Sequence, residues 1–237
     1  MPKVVGLLAR NRKVFVCSRF KWAYTGELRR LERLEVMMIW LEPATLVGKH
    51  AILEPLSHQH HDPLVEAVKD GELWKLWFTS VPEPSGMRAE IDRRLGLQAQ
   101  GAMQPFAVLD ASTGQAAGMT TYMNVDDSNR RVEIGSTWYR KSLQRTALNT
   151  ECKLLLLTRA FEQMNCIAVE LRTHFFNHAS RRAIERLGAK LDGILRSHQI
   201  ASNGTFRDTC VYSIITSEWP TVKVHLCFKL NGDWVNG

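Results

Sequence analysis

The chain has 237 residues, 45% of them hydrophobic, and a formal net charge of +7. That size allows one domain with a substantial core, and no apolar run reaches the ~18 residues that a membrane helix needs. The five cysteines are odd in number and include no C-x-x-C pair, which favours a reduced protein over a disulfide-linked secreted one. We therefore expect a cytoplasmic location and no membrane association.

Most of the positive charge lies in residues 1–36, which contain nine basic and three acidic side chains. The other 201 residues contain 22 basic and 21 acidic ones. A nucleic-acid-binding surface would carry its charge on the folded domain, so nucleic acid is a disfavoured partner, with binding through residues 1–36 as the alternative. We expect residues 1–44 to form a basic extension that is poorly ordered, or not native if translation starts at Met37 or Met38. An Arg-rich targeting peptide is a further interpretation.

Hydrophobic periodicity predicts a strand over 49–55 and a helix over 57–71. The helix opens on three histidines that lack the i, i+4 spacing of a zinc-binding helix. We therefore predict no metal site at these positions, which are His58, His60 and His61.

The pattern then predicts a helix over 85–100, followed by strands and helices. The expected elements are strands over 106–109, 115–123 and 131–139, a helix over 147–164, a strand over 167–173, a helix over 177–188, a hairpin over 191–215 and a last helix over 218–229. The dipeptide Asn203-Gly204 marks the hairpin turn. Helices on a mixed sheet predict an α/β fold of the α+β layered type.

A basic turn precedes the strong helix that is predicted from about residue 147. The first-turn N–H groups of a helix have no internal partner, and together with the helix dipole they form a site for a phosphate or another anion. Arg140, Lys141 and Arg145 add positive charge at this place. The alternative is a basic loop that caps an ordinary core helix.

A strand-turn-helix segment over 167–188 contains the sequence Asn177-His-Ala-Ser180 and ends at Gly188. Together with the basic turn, it resembles the GNAT acyl-CoA N-acyltransferases, particularly their RimJ/RimL-like branch, over about residues 45–230. The resemblance implies a GNAT-like mixed, mostly antiparallel sheet flanked by helices, in a domain over 45–231 with a tail over 232–237.

The same resemblance implies transfer of an acetyl group from acetyl-CoA to a primary amine by direct attack in a ternary complex. The amine acceptor would be a protein N-terminus or a small molecule, no metal would take part, and the protein would be a monomer or a homodimer. A non-catalytic CoA-sensing module of the same fold is the alternative.

The family cradles the CoA pyrophosphate in a turn of the form Gln/Arg-x-x-Gly-x-Gly/Ala. Ser142 and Arg145 depart from this form, whereas Ala147 conforms to it. A non-glycine residue at position 145 can still present its N–H if its φ is negative. The residues expected to bind the cofactor are Arg140, Arg145, Thr146, Ala147, Leu148, Asn149, Asn177 and Arg182.

Many family members carry a tyrosine general acid four residues before the closing glycine, where this chain has Ile184. Ser180, a water molecule or direct thiolate departure must then serve, and Asn177 is alternatively a plain N-cap. The resemblance also places aromatic residues along the acceptor groove, and we expect these to be Trp74, Trp77 and Trp138.

Glu133 is the expected general base, in the strand over 131–139. Burial would have to raise its pKa for that role. The alternative is an exposed strand residue that pairs with Arg131 or Arg172. His174, at the end of the next strand, is a second candidate for the base.

Overall fold

The computed structural model describes residues 42–201 and 203–232. The predictions for residues 1–41 and for the tail over 233–237 lie outside this part of the chain. The described strands form one eight-stranded sheet. In chain order they are β1 (Leu46–Val47), β2 (Ala51–Pro55), β3 (Met103–Asp110), β4 (Ala116–Asp126), β5 (Arg131–Tyr139), β6 (Ala168–His174), β7 (Lys190–Ile200) and β8 (Phe206–Ile215).

Five α-helices lie in the described part of the chain. They are α1 (His61–Lys69), α2 (Met87–Ala99), α3 (Ala147–Thr158), α4 (His178–Glu185) and α5 (Trp219–Asn231). A π turn over Arg159–Gln163 extends α3. Within the described residues, no helix has the length and apolarity needed to cross a membrane.

The strand order across the sheet is β1-β2-β3-β4-β5-β6-β8-β7. The β5–β6 pair is parallel, and every other neighbouring pair is antiparallel. This topology, with helices on both faces, confirms the predicted mixed, mostly antiparallel layered fold. Of the elements predicted from periodicity, β5 and β8 have the expected bounds, and the others differ by a few residues at their ends.

Strands β5 and β6 pair over only three residues each, from Arg131 opposite Ala168 to Glu133 opposite Glu170. Each strand then continues without further pairing to the other, β5 to Tyr139 and β6 to His174. The carboxyl ends of these two parallel strands are thus not paired to each other, although each remains paired to its outer neighbour, β5 to β4 and β6 to β8. In open α/β sheets, ligands bind at the carboxyl ends of neighbouring strands.

The two faces of the sheet pack against different helices. Leu156 of α3, Ile184 of α4 and Leu226 of α5 belong to one buried cluster. The helices α1 and α2 contribute to a second cluster on the opposite face. Side chains alternate between the faces along a strand, so Tyr122 of β4 lies in the first cluster and Met119 in the second.

Candidate active site

Strand β5 contains a bulge just beyond the point where it leaves β6. Ser136 has φ +47°, and the β4–β5 register shifts between Met119 and Thr121. A bulge of this kind re-aims the backbone and side chains of its strand. The carbonyl of Ser136 accepts a hydrogen bond of 3.1 Å from Arg94 Nη2, so a side chain of α2 holds the bulge in place.

Arg94 is buried, with 2% of its surface exposed, and sequence reasoning missed it. Its Nη1 donates to Thr121 Oγ1 at 2.7 Å and its Nε donates to Glu90 Oε1 at 2.7 Å. Arg94 lies three positions after the inward-facing Ile91 and four after Glu90, and this spacing was the available signal.

Glu133 lies on the sheet face opposite α3 and is buried, with 5% of its surface exposed. Burial raises the pKa of its carboxyl group, against the opposing effects of Asn124 and Arg172. Asn124 Nδ2 donates to Glu133 Oε2 at 2.7 Å, and Arg172 Nε lies 3.5 Å from the same oxygen. The alternative of an exposed strand residue is therefore wrong about exposure, although the contact with Arg172 exists.

A second carboxylate, Glu170, holds the neighbouring arginines. Arg172 donates to Glu170 Oε2 from Nε at 3.0 Å and from Nη2 at 2.7 Å, and Arg131 Nη2 donates to Oε1 at 2.6 Å. Burial disfavours the ionised form of Glu170, but hydrogen bonds from both arginines outweigh it and lower its pKa. The arginines thus satisfy Glu170 more fully than Glu133, whose carboxylate keeps a raised pKa.

The backbone of Gly135 leaves room for the Glu133 carboxylate. A Cβ atom at position 135 would lie 2.8 Å from Glu133 Oε1 and 2.7 Å from the sulfur of Met123. A larger residue would push the carboxylate away from the end of the β5–β6 pairing. Glycine at this position therefore leaves the space that the Glu133 carboxylate occupies.

His174 is buried, with 4% of its surface exposed, and its orientation argues against a role as base. The backbone N–H of Phe176 donates to His174 Nδ1 at 3.1 Å. A backbone N–H can only donate, so the lone pair of the neutral ring is occupied and its proton sits on Nε2. Burial lowers the pKa of His174 and favours this neutral form.

The three tryptophans predicted for the acceptor groove lie in different surroundings. Trp77 is 51% exposed, and its ring contacts His174 edge to face at a centroid distance of 5.0 Å. Trp138 is 4% exposed and lies in the core formed with α1 and α2, where Trp74 also packs in a partly buried position. The structure therefore brings Trp77 beside His174 of β6, whereas Trp74 and Trp138 pack in the core with α1 and α2.

The turn before α3 has a non-glycine residue, Arg145, at a position whose backbone conformation is typical of glycine. Arg145 is exposed and has φ +63°, in the left-handed region that favours glycine. The condition of a negative φ therefore does not hold. Thr146 is the N-cap of α3, and its Oγ1 accepts from the N–H of Leu148 at 3.3 Å.

Backbone N–H groups are available at this turn, as expected for a helix start. Among residues 42–201 and 203–232, no hydrogen-bond partner is found for the N–H groups of Arg145, Thr146 and Ala147. The N–H of Leu148, predicted to contact the cofactor, is instead capped by Thr146. Asn149, at the next position, is partly exposed.

The same turn is docked on the end of α1. Asp70 Oδ2 accepts hydrogen bonds from Ser142 Oγ at 2.6 Å, from the N–H of Ser142 at 3.1 Å and from Arg140 Nε at 3.3 Å. The Ser142 hydroxyl is the main cause of the lowered pKa of Asp70. Arg140, predicted to bind the cofactor, thus has its guanidinium engaged with Asp70.

At the start of α4, Asn177 Oδ1 accepts from the N–H of Ser180 at 3.0 Å. Asn177 is therefore an N-cap, as the alternative interpretation stated. Ser180 is partly buried and Arg182 is exposed. Ile184, at the position of the family's tyrosine, is buried in the core.

Comparison with known proteins identifies the family and supports the fold. Residues 50–190 match the family described as the acetyltransferase (GNAT) domain. A Bacillus subtilis (strain 168) protein named "Putative ribosomal N-acetyltransferase YdaF" is 32% identical over 106 residues, which are 45% of this chain and 57% of that protein. The chain thus spans a little over half the length of this relative.

Two solved structures share the fold. A GCN5-related N-acetyltransferase from Brucella melitensis is 28% identical with a TM-score of 0.72, over 82% of this chain and 89% of the other. Mycobacterium smegmatis RimJ in complex with CoA-disulfide is 18% identical with a TM-score of 0.68, over 80% of this chain and 96% of the other, and at that identity it shows the fold alone. The chain belongs to the GNAT family of N-acetyltransferases, whose members use acetyl-CoA.

Proposed function

We propose that this protein transfers the acetyl group of acetyl-CoA to a primary amine by direct attack in a ternary complex. The observation that carries the proposal is Glu133, a buried carboxylate of raised pKa at the point where β5 and β6 stop pairing with each other. A group of that kind is suited to take a proton from an amine near neutral pH. The family match supports the same chemistry.

The turn before α3 fits the phosphates of CoA. The unpartnered N–H groups of Arg145, Thr146 and Ala147 and the positive end of the α3 dipole offer donors to an anion. The exposed Arg145 side chain adds a charge that makes no ion pair with any described residue. In this proposal Arg140 positions the turn through Asp70, and Asn177 and Arg182 line the path of the pantetheine arm.

The reaction needs a neutral amine, a polarised carbonyl and a departing thiolate. Acetyl-CoA supplies the acetyl group as a thioester, and holding both substrates in line supplies much of the rate. Glu133 accepts one proton from the acceptor ammonium and releases it to solvent, and the neutral amine nitrogen then forms a bond to the acetyl carbon. The second nitrogen proton passes to Glu133 as the carbon–sulfur bond breaks. Because Ile184 has no proton to give, the thiolate departs directly, or takes a proton from a water molecule or from Ser180, which regains one from solvent.

The acceptor is a protein N-terminus or a small amine. The name of the Bacillus subtilis relative refers to a ribosomal acceptor, which favours a protein α-amine here as well. The exposed Trp77, next to the polar face of β6, is suited to contact such an acceptor. Fold alone does not determine the substrate, so an amine panel has to identify it.

A CoA-sensing module is the second candidate, because Ile184 replaces the family's tyrosine and Arg145 replaces a glycine. The two functions differ in turnover. An N-acetyltransferase releases free CoA when an accepted amine is added. A sensing module binds acetyl-CoA but releases no CoA with any of the amines in the panel.

Replacing Glu133 tests the proposed base. We expect Glu133→Gln to lower kcat by about 10²- to 10⁴-fold, the usual contribution of general base catalysis, with little change in acetyl-CoA affinity. Thiol release from acetyl-CoA in the presence of an accepted amine is the measurement. Glu54→Gln, a partly exposed carboxylate on β2 that contacts His60, is the matched control and should retain activity. Wild-type kcat in Glu133→Gln would contradict the role of Glu133.

A further inference from the structure

Two buried nitrogens near Glu133 have no hydrogen-bond partner. Among the described residues, His174 Nε2 and Arg207 Nε are buried side-chain atoms without one. His174 is 96% removed from solvent, and its ring orientation makes Nε2 a donor. A buried donor left without an acceptor destabilises the folded state, so each such group calls for an explanation.

Strand pairing places the two groups on one face of the sheet. His174 of β6 is directly opposite Thr209 of β8, and Arg207 lies two residues before Thr209 on the same strand. Directly paired residues share a face, and so do residues two apart along a strand. His174 and Arg207 are therefore diagonal neighbours.

Glu133 lies on this same face. Arg172, two residues before His174 on β6, has its Nε 3.5 Å from Glu133 Oε2. The charge of Arg207 also acts on both groups, opposing the raised pKa of Glu133 and contributing to the lowered pKa of His174. The face thus presents a proton acceptor at Glu133 and unsatisfied donors at His174 and Arg207.

Arg207 brings a positive charge to this face, where the carboxylate of Glu133 acts on it electrostatically. No ion pair joins it to a carboxylate within the described part of the chain, whereas Arg131 and Arg172 are both bonded to Glu170. A carboxylate is a suitable ligand for a cation that lies beside a neutral N–H donor, because the two carboxylate oxygens can accept hydrogen bonds from both groups. Half-exposed rings of Trp77 and Phe176 border this place.

We propose that His174 and Arg207 bind a carboxylate of the acceptor while Glu133 receives its amine. This inference rests on the proposed function and names the class of acceptor, an amine that carries a carboxylate a few bonds away. Two sources have this chemistry, a free amino acid and a peptide N-terminus with Asp or Glu at its first or second position.

Matched acceptor pairs test the carboxylate site. We would compare kcat/KM for free amino acids with that for their carboxamides, and for peptides with Glu at position two with that for the same peptides with Gln. We expect the acid of the correct source to be preferred by roughly 10- to 100-fold, the value of a hydrogen bond to a charged group. The pair that shows the preference identifies the source.

Variants then assign the preference to residues. Arg207→Gln and His174→Phe should each bring the ratio of kcat/KM for the acid to kcat/KM for its carboxamide, or for the Glu peptide to the Gln peptide, down to about one. Arg207→Lys, which retains the charge, should keep part of the preference. Arg196→Gln is the matched control on β7, where the side chain is 81% exposed and pairs with Asp208, and it should keep the full preference.

The outcomes separate this site from the proposed function. Equal kcat/KM values for acids and amides overturn the carboxylate site and leave the acetyltransferase intact. If no amine is acetylated, the proposed function fails, and calorimetric titration of the acid and amide ligands onto the CoA-saturated protein tests the site alone. Tighter binding of the acid, lost in Arg207→Gln, supports the site, and equal binding overturns it. An unfolding midpoint no lower than that of the wild type in each variant excludes misfolding as the cause.

Discussion

Two carboxylates on neighbouring strands, Glu133 and Glu170, show at the scale of single residues how environment divides roles. Both are largely buried, and burial disfavours their ionised forms. Glu170 receives hydrogen bonds from two arginines and its pKa falls, whereas Glu133 receives its closest bond from an uncharged amide and its pKa rises. This separation of pKa values marks Glu133, and not Glu170, as the candidate proton acceptor.

The pH dependence of the reaction should follow from the amide that contacts Glu133. A base must be deprotonated to act, so kcat/KM should rise with pH through the raised pKa of Glu133. Asn124→Ala removes a hydrogen bond that favours the ionised form, so it should raise this pKa and move the acidic limb to higher pH. Asn129→Ala, in an exposed turn, should leave the pH profile of kcat/KM unchanged, and an unshifted limb in Asn124→Ala would contradict the assignment.

Arg145 occupies a backbone conformation that suits glycine, with φ +63°. A left-handed non-glycine residue costs about 1–2 kcal/mol, and glycine costs about 0.5–1 kcal/mol in unfolded-state entropy. Arg145→Gly should therefore leave the free energy of unfolding unchanged or raise it by up to about 1 kcal/mol.

Arg88→Gly, in the exposed part of the helix α2, is the control for this change. It should lower the free energy of unfolding by about 1 kcal/mol, the helix propensity difference. Urea unfolding measures both variants. Equal losses in the two variants would show that position 145 carries no backbone strain.

At the scale of elements, the site depends on how the turn before α3 is held by a helix from the opposite face. Asp70, at the end of α1, binds Ser142 and Arg140, and the N–H of Lys141 donates to the carbonyl of Asp70 at 3.0 Å. Gly71 has φ +98°, and a Cβ there would lie 2.5 Å from Cβ of Lys141. The end of α1 therefore sets the position of the turn.

Removing the contact of Asp70 with the turn should weaken cofactor binding, although Asp70 itself is not expected to contact the cofactor. We expect Asp70→Ala to raise the Kd for acetyl-CoA by about 10-fold, because the turn then has to be ordered on binding. Titration calorimetry measures the effect. Asp62→Ala, at the exposed start of α1, is the control that should keep the wild-type Kd, and equal Kd values for all three proteins would show that Asp70 does not organise the turn.

At the scale of the whole molecule, local patterns predicted the elements better than the site. The sequence pattern predicted the bounds of β5, β8 and α3 to within a few residues from their apolar runs. It predicted the end of α4 from the glycine at position 188. The burial of Glu133 was not predictable from the sequence. Alternation along β5 indicates the face of the sheet on which Glu133 lies, but the residues that cover this face come from other elements. The contact of Arg94 with the β5 bulge joins residues 42 positions apart, which no local pattern records.

The proposed function requires acetyl-CoA to bind at the turn before α3, and a thermal unfolding titration measures that binding. A ligand that binds only the native state stabilises it by about 2.7 kcal/mol at a hundredfold excess over Kd. We predict a concentration-dependent rise of the midpoint in the wild type and in Arg88→Glu, and its loss in Arg145→Glu, whose charge opposes the phosphates. No rise at millimolar acetyl-CoA, or an equal rise in all three proteins, would contradict a cofactor site at residues 145–147.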